Sequence, residues 1–180
     1  MSYEGDLLLM CPGDIDFQTT FAIVVSGAAG NPCGHMILCT GPANGNKWYF
    51  HVAGQGVEEA LGVYAYPKFM LEDGFHRYLR ENGKHELRRL DAKLQYPEKA
   101  YDRLMTLMSG KWFWGVLIHN CATFVQEVIS AGGGDLNVVL NCPDQEVKAV
   151  RAILNVESGL QKAERGLQSG IRNLRRELHL

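Results

Sequence analysis

His119-Asn120-Cys121-Ala122-Thr123-Phe124-Val125 places a cysteine in the first turn of a predicted helix. Phe124, Val125, Val128 and Ile129 lie three, four, seven and eight residues beyond Cys121. That spacing makes one buried face of an amphipathic helix. Asn120 is the expected N-cap, and Gly132-Gly133-Gly134 ends the helix. A thiol in this position meets the positive end of the helix dipole and unpaired backbone N–H groups, which favour the thiolate and predict a depressed pKa. The same N–H groups suit an oxyanion. The plainer reading is a small buried hydrophobe that opens a core helix.

Two histidines upstream favour the chemical reading. His35 opens the strand-like run Gly34-His35-Met36-Ile37-Leu38-Cys39-Thr40, followed by the turn-forming Gly41-Pro42-Ala43-Asn44-Gly45-Asn46; His51 closes Trp48-Tyr49-Phe50-His51-Val52. Two strands joined by such a turn form an antiparallel hairpin, which sets the start of the first strand beside the end of the second. His35 and His51 are therefore expected together, one taking the thiol proton while the other orients it. Taken singly, each histidine is better explained by a hydrogen-bonded structural role.

With Gly5-Asp6-Leu7-Leu8 near the start, Gly34-His35 at a strand head, an aromatic strand ending in His51, and Asn120-Cys121 before Phe124-Val125, the chain resembles the circularly permuted NlpC-type papain-like cysteine hydrolases. Their lecithin:retinol acyltransferase-like branch has the histidine strands before the cysteine helix. The likeness spans roughly residues 5 to 132. It implies an α+β fold, a papain-like (permuted NlpC-type) antiparallel sheet packed on a cysteine-bearing helix. It also implies Cys121 as nucleophile, His35 as general base and His51 as the polar third member. Ala122 and Thr123 stand where acyltransferase-like members often carry a larger polar pair, which turns the reading away from lipid chemistry.

Composition fits an ordinary globular chain: 180 residues, 46% hydrophobic and 21% charged, can bury a substantial core. A formal net charge of -2 supplies no basic field, so nucleic acid is not an expected partner. Glu4 and Asp6 sit where a secretory signal needs positive charge, and no run approaches the ~20 apolar residues of a membrane span. Synthesis in the cytoplasm without a signal peptide, and no integral membrane segment, are the expectations. Five cysteines without paired spacing fit a reducing compartment better than a disulfide framework, with Cys11 and Cys142 structural. Cys33, His35 and Cys39 share one short strand with no further ligand pair of zinc-site spacing, so neither metal nor cofactor is expected.

Along the chain, residues 7–10 and 21–25 read as buried strands, residues 57–83 as a surface connection or cleft rim without clean periodicity, and residues 85–90 as a returning strand. Pro97 opens a helix with Tyr101, Leu104, Met105 and Met108 on one face. Trp112-Phe113-Trp114 either walls the cleft of Cys121 or packs inside. Residues 1–142 are read as the catalytic domain. Residues 143–180 are read as a C-terminal helical extension whose apolar face, Leu160, Ala163, Leu167, Ile171, Leu174 and Leu178, needs a surface to pack on.

The function expected first is a thiol peptidase or amidase cleaving a cell-wall peptide through an acyl-enzyme, a substrate class that the resemblance implies. Such an enzyme would be an antibacterial secreted effector, delivered outside the cell or into a target periplasm by a dedicated secretion system. An immunity or inhibitor protein would then be its partner beside the peptidoglycan substrate. The alternatives are a lipid esterase or acyltransferase using the same Cys-His-His site, a protein-modifier protease, and a non-enzymatic binding module.

Overall fold

The two histidine-bearing runs pair as the turn residues dictate. The computed structural model describes residues 15–27, 33–43, 46–53, 63–114, 119–138 and 142–143. In it β2 (His35–Ala43) and β3 (Asn46–His51) are antiparallel, with Leu38 opposite Phe50 and Cys39 opposite Tyr49. The first strand runs on through Gly41-Pro42-Ala43, so the turn is shorter than the Gly/Pro/Asn cluster suggests. β1 (Asp16–Val25) pairs along the other edge of β2 and places Val25 opposite His35. With β5 (Lys68–Leu71) and β6 (Glu86–Ala92) they form a five-stranded sheet in the order β5-β3-β2-β1-β6, every pairing antiparallel. A separate ribbon joins β4 (Val63–Ala65) to β7 (Trp112–Trp114).

The central strands are apolar at successive positions because both faces of the sheet are covered. Ala22, Val24, Met36, Leu38, Trp48 and Phe50 point to one side, where α2 (Pro97–Met108) and α3 (Cys121–Ala131) pack. Ile23, Val25, Ile37, Cys39 and Tyr49 point to the other, against α1 (Glu72–Glu81). Phe124, Val125, Val128 and Ile129 are all fully buried, the stripe that the spacing predicts. At about 1.5–3 kcal/mol for each buried side chain, they hold α3 to the sheet far more strongly than helix propensity does. The result is an α+β fold with an antiparallel sheet and three helices among the described residues.

Two expectations are overturned. Within 57–83, which reads as an irregular connection, the chain forms β4, β5 and α1. α1 is amphipathic, with Phe75 and Tyr78 buried and Leu79 packed against the same cluster, but it spans only ten residues with few apolar ones, and β5 is only four residues long. The cysteines are not all reduced: Cys33 and Cys142 form a disulfide with a Cα–Cα distance of 4.2 Å across 109 positions. Folding, rather than local spacing, brings that pair together, and it removes Cys33 as a thiolate ligand. The strand expected at 7–10, Cys11 and, after Pro143, the helical extension lie outside the described residues.

Candidate functional site

α3 begins at the cysteine because Asn120 caps it. Asn120 has an extended backbone, and its side-chain oxygen accepts hydrogen bonds from Ala122 N–H at 2.9 Å and Thr123 N–H at 3.1 Å. Thr123 Oγ1 donates back to the Asn120 carbonyl at 2.8 Å. Trp112 Nε1 donates to the His119 carbonyl at 3.0 Å, and the Trp112 ring stands edge-on to Phe124 at 5.6 Å. The turn before Cys121 is thereby fixed from both sides. Of the tryptophan-rich run, Trp112 is buried packing, whereas Phe113 is exposed and lies beside exposed Tyr64 at 5.5 Å.

The hairpin does bring the histidines together: His35 Nε2 and His51 Nδ1 are 3.0 Å apart, a hydrogen bond whose direction depends on the tautomers. Cys121 reaches the same strand end. The backbone N–H of Met36, next to His35, donates to Cys121 Sγ at 3.4 Å. The sulfur thus lies against the peptide group that joins His35 to Met36. Gly34, immediately before His35, adopts φ +76°, and a Cβ there would come within 2.8 Å of the Val25 carbonyl oxygen and 2.9 Å of Val24 Cγ1. Only glycine fits this approach of the strand head to β1. The Cys33–Cys142 bridge clamps the residue before it to the chain beyond α3.

The expected thiol pKa is corrected. Burial pushes the Cys121 thiol above its ordinary value and outweighs the N–H groups of Met36, Ala122 and Cys121 itself, then the charge of Lys84, all of which pull it down. Cys121 is 8% exposed, and desolvation of a thiolate there costs more than a helix terminus returns. His35 moves the opposite way, held well below the ordinary imidazole value by burial first, then by the charges of His51 and Lys84. The resting pair is therefore neutral thiol and neutral imidazole. Cys39, the other free cysteine among the described residues, is pushed to about 11 by burial.

Lys84, which follows α1, was not singled out by the sequence. It is half-buried, and its Nζ donates to the Ser26 carbonyl at 2.9 Å. In the sequence it reads as one more charge in a polar turn, Glu81-Asn82-Gly83-Lys84. Only the pairing of β1 with β6 reveals where it stands. Comparison with protein-family models, curated proteins and solved structures returns no match to this chain.

Proposed function

We propose that this protein is a cysteine hydrolase in which Cys121 attacks an amide carbonyl, and that its fold is the permuted papain-like one. The observation that carries the proposal is that the capped helix-start Cys121 accepts a hydrogen bond from the Met36 N–H, one residue along β2 from His35, whose ring is hydrogen-bonded to His51. With Nε2 of His35 engaged by His51, the nitrogen of His35 left to serve the thiol is Nδ1. As Sγ bonds to the carbonyl carbon, the thiol proton passes to His35. The imidazolium so formed is held in place by the hydrogen bond from its Nε2–H to His51 Nδ1 and gives the proton to the leaving amine as the C–N bond breaks. Water, deprotonated by the same imidazole, then opens the thioester, releasing the acid and restoring the thiol. A neutral resting pair suits this sequence, because the charges appear only as the carbonyl is attacked.

A cell-wall peptide is the substrate class that the NlpC-type resemblance supports. Purified protein is expected to release new amino termini from peptidoglycan sacculi, with the folded Cys121→Ala variant inert. Ester release from phospholipid vesicles with sacculi left intact would overturn this choice of substrate in favour of lipid chemistry.

A further inference from the structure

Three neighbouring strands, β2, β1 and β6, reach one end of the sheet in step. Val25 on β1 lies opposite His35 on β2 and opposite Glu86 on β6. One residue further out, Ser26 N–H donates to the His85 carbonyl at 2.9 Å, and His85 N–H donates to Ser26 Oγ at 3.1 Å. Lys84 is the next residue in this row. Its backbone N–H is held by the Leu79 carbonyl at 2.8 Å, and its side chain turns back across β1 to the Ser26 carbonyl. The ammonium stands 6.0 Å from the Tyr78 ring centre, and that ring lies 5.4 Å from the His51 ring.

We propose that Lys84 is a positioning residue of the Cys121–His35 site: tethered to the Ser26 carbonyl at the sheet end where His35 begins, its ammonium favours negative charge on the sulfur and disfavours positive charge on the resting imidazole. This rests on the proposed role of Cys121 as nucleophile. The titratable groups tied to the ammonium are Cys121 on α3, His35 on β2 and Tyr78 on α1, with His51 on β3 next to the Tyr78 ring. The electrostatics agree with the geometry. Burial lowers the Lys84 pKa and the sulfur of Cys121 raises it, while the Lys84 charge lowers both Cys121 and His35. A surface lysine paired with a backbone carbonyl would have no such reach, because water screens its charge within about a Debye length of 8–10 Å and a high dielectric weakens it sooner. Here partial burial preserves the interaction.

The test follows the rate of Cys121 carbamidomethylation by iodoacetamide from pH 6 to 11, mapped by peptide mass, which reads ionisation of the thiol without any substrate. In Lys84→Met the inflection is expected to move to higher pH by about half a unit or more, as loss of one nearby positive charge requires. Lys84→Arg, which keeps the charge, is expected to restore most of the shift. An unchanged inflection in a folded Lys84→Met protein overturns the proposal. If Lys84→Met does not fold, coupling is read from the other partner: in 13C-lysine NMR the Lys84 midpoint is expected to fall in Cys121→Ala relative to wild type, and equal midpoints overturn it. Failure of peptidoglycan cleavage would leave both readouts intact, so the role of Lys84 and the role of Cys121 in hydrolysis are judged separately.

Discussion

Asn120→Ala removes the acceptor that holds the first turn of α3, and its cost can be worked from the hydrogen bonds it breaks. The side-chain oxygen serves two N–H groups, of Ala122 and Thr123, and both Asn120 and Ala122 are buried. Losing an N-cap costs about 0.5–2 kcal/mol. The Ala122 N–H sits in a fully buried residue, where an unsatisfied donor costs about 1–3 kcal/mol, so the effect belongs near the top of the cap range, about 2 kcal/mol. With a urea m-value of about 2 kcal/mol/M, the unfolding midpoint is expected to fall by about 1 M with m unchanged. Asn120→Asp keeps the acceptor and places a carboxylate at the helix start, so its loss is expected to be well under half as large. The same carboxylate stands beside Cys121 and is expected to push thiol ionisation to still higher pH. An Asn120→Ala midpoint within about 0.2 M of wild type would refute the capping role, and with it the explanation of why the helix starts at the nucleophile.

Three further outcomes follow from the same geometry. Gly34→Ala forces a Cβ against the Val25 carbonyl at positive φ. It is expected to cost more than about 1 kcal/mol and to slow Cys121 alkylation by displacing His35, read by urea melts and peptide mapping. The Cys33–Cys142 bridge spans 109 positions, for which the chain-entropy estimate is about 4.7 kcal/mol; a paired Cys33→Ala, Cys142→Ala variant with a stability loss under about 1 kcal/mol would contradict a formed disulfide. His35 is held neutral by burial, so its folded pKa lies below its unfolded one and the unfolded chain binds the extra proton. Stability is therefore present above the ordinary imidazole pKa of about 6.5 and is lost as pH falls from there, by up to about 1.4 kcal/mol per pH unit. His35→Gln is expected to flatten that limb in urea melts run at pH 7.5, 6.5 and 5.5, and an equally steep limb in the variant would assign it to another group.

The parts of the site legible in the sequence are those written locally. Asn120 and the stripe Phe124, Val125, Val128 and Ile129 specify a capped helix starting at Cys121, and the turn cluster after Thr40 specifies the hairpin that joins His35 to His51. What escaped depends on tertiary pairing. α1 presents a short apolar stripe of Phe75, Tyr78 and Leu79, three residues in a ten-residue helix that is otherwise mostly polar and charged, so the helix does not stand out in the sequence. The partners of the disulfide are brought together by β2 and the chain after α3, with no spacing rule to announce them. Lys84 gains its place only when β6 docks on β1. The direction of the Cys121 shift is likewise a product of packing: helix position argues for a lower pKa, and burial of the sulfur, which the Met36 N–H only partly offsets, decides for a higher one.

The central claim is that Cys121 is a nucleophile served by His35, and competitive alkylation tests it without assuming a substrate. Native protein and a folded His35→Ala variant are treated with limiting iodoacetamide at pH 7, and Cys121 and Cys39 are quantified by peptide mass. Cys121 is expected to be modified ahead of Cys39, which is fully buried with its thiol pushed to about 11, and its modification is expected to slow markedly without His35. Labelling of Cys39 first, or a Cys121 rate unchanged by the loss of His35, would contradict it.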